Sequence, residues 1–175
     1  WRLDGNKLRF PKLGNLRIVV HRPLEGTPKS CTLRREGDQW FASILCEVEL
    51  ADPVPRTEPV LGLDRGVRAL VADSDGNVVE NPSYLEHSLD QLARAQRVAA
   101  RRKKGSKNRH KAQARVARIH RKVRRQRNHM LHQLSARLSK SHATVVVEKL
   151  QIQNMLKANR GLARRVSDAG WGRLV

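Results

Sequence analysis

The stretch that decides the fold is Val60-Leu61-Gly62-Leu63-Asp64, together with its echo, Thr144-Val145-Val146-Val147-Glu148. Each is a short apolar run that stops at a carboxylate. Continuous apolar runs of this kind read as strands buried on both faces, as in a parallel sheet, and an acid at the last position then sits at the sheet edge. If the two strands are neighbours, Asp64 and Glu148 converge. Outward from the first run, residues 67–72 make a second strand, Asp73-Ser74-Asp75-Gly76 a turn, and Asn77-Val78-Val79-Glu80 a third strand, giving a three-stranded meander. Two readings of the acids stay open from the pattern alone. Paired carboxylates supply the hard oxygen ligands that Mg²⁺ needs for phosphodiester cleavage. Equally, Asp64 is a strand-end turn former and Glu148 an ion-pair partner for basic helices.

Beyond Pro82 the period changes. Ser83 with Glu86 three residues on is a capping-box signal. Leu85, Leu89, Leu92 and then Ala95 or Gln96 follow at helical spacing. The last turn, Arg101-Arg102-Lys103-Lys104, suits a helix dipole, and Gly105 suits a stop. A second helix is expected over 107–139, with an apolar stripe of Ala112, Val116, Ile119, Val123, Met130, Leu134 and Leu138 that skips one turn at Gln126 and Arg127. Together these make a basic αα-hairpin at about 83–140. Past Glu148, Gln153-Asn154-Met155-Leu156 opens a short helix or loop, and Ser167-Asp168-Ala169-Gly170-Trp171 reads as the cap and first turn of another helix, with Asp168 a capping or packing residue.

Residues 1–52 read as β-rich. Strands are expected over 16–21, 29–34 and 39–48, with Glu36-Gly37-Asp38 turning between the last two. Trp40 is expected in the core and Trp171 against the sheet. Cys31 and Cys46 lie in separate strands with no Cys-x-x-Cys spacing, so buried free thiols are expected rather than a metal site. Prolines at 53, 55 and 59 place a linker over 53–59, and a second unit follows over 60–175.

The charge is divided as sharply as the patterning. The net charge is +20. Up to residue 90 there are 12 Lys and Arg against 14 Asp and Glu; after it there are 24 against 2. No acid falls between Asp90 and Glu148. Solvated helix faces mix signs, so a stretch of this length without an acid points to a polyanion partner. The expected contacts are Arg94, Arg97, Arg101, Arg102, Lys103, Lys104, Lys107, Arg109 and Lys111. The histidines, including His110, His120, His129 and His132, follow no ligand spacing and are expected at phosphate or solvent. No apolar run is long enough to span a membrane and the N-terminus is not signal-like, so a cytoplasmic protein is expected.

Specific motifs now carry a resemblance. Gly62-Leu63-Asp64-Arg65-Gly66-Val67 resembles the first RuvC motif of the TnpB/OrfB family of insertion-sequence transposon proteins, relatives of type V CRISPR effector nucleases. Asp73-Ser74-Asp75-Gly76 and Glu80-Asn81-Pro82 continue the pattern, and residues 102–109 resemble the family's basic turn. Val146-Val147-Glu148-Lys149-Leu150, followed by Asn154-Met155-Leu156, resembles the second RuvC motif, and Ser167-Asp168-Ala169-Gly170-Trp171-Gly172 the block behind it. Pro11-Lys12-Leu13-Gly14 and His21-Arg22-Pro23-Leu24 resemble the second half of the family's wedge-type β-barrel. The resemblance covers essentially the whole chain.

It implies an α/β chain: a partial RNase H-like (RuvC) domain with an inserted basic αα-hairpin, preceded by part of a wedge-type barrel. The implied activity is RNA-guided DNA cleavage with Mg²⁺, with a guide RNA from the transposon end and target DNA as partners. Asp64 and Glu148 are the implied catalytic and metal-binding acids. Arg65 departs from the family, which usually has an apolar residue there; its charge would either tune Asp64 or face solvent. The family's third acid and its Zn²⁺-binding four-cysteine ribbon are expected beyond Val175, so the chain reads as truncated at both ends. Two other readings compete: a catalytically incomplete RNA- or DNA-binding remnant of a decayed transposase, and a basic RNA-binding structural protein of ribosomal style.

Overall fold

The computed structural model describes residues 1–52, 57, 59–158 and 160–174. The expected linker at 53–59 falls mostly outside these. The chain is mixed α/β and divides into two compact units, Trp1–Val54 and Pro55–Val175.

The first unit holds two antiparallel sheets. β1 (Arg2–Asp4), β2 (Lys7–Phe10) and β3 (Gly14–Arg17) form one, and β4 (Thr27–Glu36) with β5 (Gln39–Glu47) the other. The register sets Leu3 opposite Leu8 and Leu8 opposite Leu16. Three leucines thus share one face, with Leu8 fully buried. Sequence reading misses β1 and β2, because each offers one or two apolar residues among charges. It also sets a strand over 16–21 where only Gly14–Arg17 is one. The β4–β5 hairpin lies where expected, and Gly37 takes a positive φ of 65° in its turn. Trp40 is 67% exposed and is not a core residue: it stands opposite Arg35 beside the turn, where nothing covers it. Cys31 and Cys46 are free and half-buried, and burial pushes the Cys31 thiol up despite a nearby cationic N-terminus.

The second unit is built on a four-stranded sheet. β6 (Val60–Asp64), β7 (Ala69–Asp73) and β8 (Val78–Glu80) form an antiparallel meander, and β9 (Thr144–Val147) lies parallel to β6, giving the order β8-β7-β6-β9. Between β8 and β9 come a 3₁₀ turn (Glu86–Ser88), α1 (Leu89–Ala100) and α2 (Lys107–Ser141). After β9 come α3 (Ile152–Ala158), α4 (Arg160–Ala169) and a 3₁₀ turn at Trp171–Arg173.

The length of α2, 35 residues or about 50 Å, is explained by its two packing partners. Toward its start, Val116 and Ile119 meet Leu85, Leu92 and Ala95 in a small cluster. Toward its end, Leu131, Leu134 and Leu138 pack on Leu61, Leu63, Leu70 and Val71 of the sheet, with Val166, Ala169 and Trp171 completing the main core. The helix starts at Ser106, whose hydroxyl accepts the Arg109 N–H at 3.2 Å; this removes one orphan donor of the first turn.

Two local expectations change. The capping box at Ser83 and Glu86 is not formed. Ser83 stands at φ 44°, and its N–H is taken by the Asn81 side chain at 3.1 Å, so the helix begins later. The 167–171 segment does not open a helix; it closes α4. Gly170 at φ 67° supplies the left-handed turn after the helix, and a Cβ there would lie 2.7 Å from the Arg127 Cδ.

Candidate active site and nucleic-acid interface

β6 and β9 run in parallel with Leu63 opposite Val147. Asp64 and Glu148 are the next residues on each strand, so they emerge side by side at one end of the sheet, both exposed. Asp64 remains inside the sheet on its other flank, paired with Ala72 of β7. Glu148 lies past the last rung of β9, the outer strand of this sheet among the described residues.

Arg65 fills that gap. It is 8% exposed and does not face solvent. Its guanidinium Nη2 donates to the Glu148 carbonyl oxygen, and its main-chain N–H donates to Glu148 Oε1 at 3.3 Å. Its Nε is buried without a partner. Nothing in the residue types alone reveals these bonds, which form only when two segments 83 positions apart are brought together.

Asp168 does cap a helical turn, but one far away in sequence. It is 8% exposed; Oδ2 accepts the Leu85 N–H at 3.0 Å, and Oδ1 pairs with the Arg127 guanidinium. The skipped turn in the α2 stripe is the sequence trace of this pair: Arg127 takes a core-facing position and needs an acid there. Asp73 serves its own turn. Its carboxylate accepts the Asp75 and Asn77 N–H groups and the Asn77 side chain. Burial pushes this carboxyl up, and the hydrogen bonds from Asn77 and Asp75, with His142 nearby, outweigh it and hold the group below its ordinary value. A cleft of about 390 Å³ is bordered by Asn81, Ser83, Glu86, Arg164 and Asp168, and neither Asp64 nor Glu148 lines it.

Among the expected phosphate contacts, Arg94, Arg97, Arg101, Arg102, Lys103, Lys104, Lys107 and Lys111 are exposed on α1, α2 and the turn between them. Arg109 differs: it is half-buried, and its Nη1 donates to the carbonyls of Ala99 at 3.3 Å and Arg102 at 2.9 Å. It thereby ties the end of α1 to the start of α2. His110, His120, His129 and His132 are exposed. Among the described residues, no group of three or more His, Cys, Asp or Glu side chains is gathered to hold a metal ion, and no helix is long and apolar enough to cross a membrane.

Comparison with known proteins identifies a family. Residues 43–159 match the OrfB_IS605 family, described as "Probable transposase". A "Putative RNA-guided DNA endonuclease" of Streptomyces pristinaespiralis is 43% identical over 162 residues, covering 91% of this chain and 40% of its own length. The "Putative RNA-guided DNA endonuclease InsQ" of Escherichia coli (strain K12) is 32% identical over 182 residues, covering 96% and 45%. A Mycobacterium tuberculosis (strain CDC 1551 / Oshkosh) relative described in the same words is 37% identical over 186 residues, covering 95% and 40%. The chain thus spans less than half the length of these curated relatives. It belongs to the TnpB/OrfB family of insertion-sequence transposon proteins.

Proposed function

We propose that this chain provides two catalytic carboxylates and a cationic hairpin to a metal-dependent, RNA-guided DNA endonuclease. One observation carries the reading: the parallel register of β6 and β9, which leaves Asp64 and Glu148 adjacent at one sheet end. An RNase H-like (RuvC) fold accounts for the strand order β8-β7-β6-β9, with acids closing the first and fourth strands in sequence. In that reading α1 and α2 are an insertion between β8 and β9, residues 60–175 belong to the RuvC domain, and residues 1–52 are a segment of a wedge-type barrel joined by the 53–59 linker.

The donor set suits Mg²⁺. Two exposed carboxylates are hard oxygen ligands, and Mg²⁺ is commonly held by one or two carboxylates plus waters and substrate phosphates. Asp64 and Glu148 would hold it. When bound, it supplies activation of a water and stabilisation of the leaving oxygen in phosphodiester hydrolysis. The exposed cations of the hairpin would hold the phosphates of guide RNA and target DNA, by charge and shape rather than base identity. The names of the relatives, as RNA-guided DNA endonucleases, support this choice of polyanions.

The test is Asp64→Ala in the complex of the protein with its guide RNA. Losing a metal ligand removes several kcal/mol of transition-state stabilisation, so cleavage should fall by about 10³-fold or more, while RNA affinity stays within about twofold. Unchanged cleavage would sink the site assignment. A second reading, a remnant that binds nucleic acid without cutting it, needs only the exposed cations of the hairpin. Tight RNA binding with no Mg²⁺-dependent cleavage by the wild-type complex would decide for it.

A further inference from the structure

Arg65 is chemically out of place. A guanidinium is charged at every accessible pH. Burying it with Nε unpartnered costs more than burying an apolar residue of similar size, and replacing buried charges by apolar groups is often neutral or stabilising. Stability of the sheet therefore does not explain the residue; what it touches does.

The β6–β9 ladder ends at Leu63 and Val147. Asp64 is still held by β7, through its pairing with Ala72. Glu148 lies one residue past β9, which stops at Val147, so the β6–β9 ladder does not hold it. Arg65 reaches Glu148 at two points, its main-chain carbonyl and its carboxylate. The first, made by the guanidinium, fixes the backbone that carries the Glu148 side chain and is the bond a substitution removes; the second, made by the main-chain N–H, helps orient the carboxylate whatever residue stands at 65.

We propose that Arg65 is a positioning residue that holds Glu148 level with Asp64 and so prepares the acid pair for a divalent cation. This rests on the metal-site reading above. The two hydrogen bonds join a charged group to a main-chain acceptor and a carboxylate to a main-chain donor; bonds of that class are among the stronger ones in proteins.

The experiment measures Mn²⁺ affinity by calorimetry, and in parallel the metal midpoint of DNA cleavage by the guide-RNA complex. It compares wild type, Arg65→Leu, Arg65→Lys and Asp64→Ala, each with its thermal midpoint. Arg65→Leu is expected to fold with an equal or higher midpoint, yet to bind Mn²⁺ about tenfold more weakly or worse. Its cleavage should need correspondingly more metal. Arg65→Lys should recover part of the affinity, since an ammonium can reach one acceptor but lacks the planar fork. Should Arg65→Leu lower the thermal midpoint, the Lys variant at matched stability carries the test: a Mn²⁺ affinity equal to wild type would overturn the role. Weakened binding in Asp64→Ala but none in either Arg65 variant overturns the positioning role alone. Wild-type affinity in Asp64→Ala overturns the metal-site reading, and the role of Arg65 with it.

Discussion

Asp168 holds a main-chain N–H from one segment and a guanidinium from another, and it is nearly solvent-free. Its removal strands Arg127 in a low-dielectric setting. Asp168→Ala should therefore destabilise the chain by about 3 kcal/mol, seen as a drop of roughly 10 °C in thermal midpoint. Replacing both partners, Asp168→Leu with Arg127→Leu, should recover most of that and leave only about 1 kcal/mol for the unpaired Leu85 N–H. A double variant no more stable than Asp168→Ala would refute the account. Asp73 gives a pH signature. Its carboxyl is held below the ordinary 3.8, so the ionised form is favoured by folding. That contribution is complete above the ordinary value and disappears as pH falls through the lowered one. The stability gap between wild type and Asp73→Asn, followed by acid titration, should hold steady at neutral pH and close below about pH 3.8. A gap unchanged in acid would contradict it. The turn that Asp73 serves was legible locally, since its partners lie two and four positions on; the partners of Asp168 were not. The sequence marks Asp168 as a capping residue, but the turn it caps lies 83 positions away.

The two hairpin helices were the most legible elements, because period and charge agreed, whereas α4 was not foreseen. The start of α2 at Lys107 follows from Gly105 and Ser106, and its stripe from Val116 to Leu138 is nearly the one observed. What the period could not give was Leu131, hidden beside Met130, or the reason for the missing turn at Arg127. Nor could it give the bonds of Arg109, which reach the Ala99 carbonyl in α1 and the Arg102 carbonyl in the turn behind it. The strands divide the same way. Apolar runs such as 60–64 and 144–147 announce themselves, whereas β1 and β2 are short charged segments that pair only because a neighbour offers a matching leucine. The hairpin makes its own prediction. Neutralising Arg101, Arg102, Lys103 and Lys104 should weaken RNA binding and flatten its salt dependence by up to about 0.7 in log–log slope per lost phosphate contact with a single strand. A slope identical to wild type, measured from low to moderate salt, would remove the turn from the interface.

At the scale of the molecule, charge and architecture are segregated along the chain. The near-neutral first half carries both small sheets and three strands of the larger one, while almost the entire positive excess follows Asp90. The acid-ended strands were visible in sequence as candidates for neighbours, yet their adjacency was not, since no local pattern states which strands pair. That adjacency also has a temporal side. Arg65 and Glu148 are 83 positions apart, and the whole of α1 and α2 lies between them. At about 5–20 residues per second, the ribosome releases Asp64 and Arg65 roughly 4–17 s before their counterpart. During that interval the growing chain completes every cation of the hairpin while its two acids have yet to meet. In a nascent copy, the cations proposed to hold nucleic acid precede the pair of carboxylates proposed to cut it.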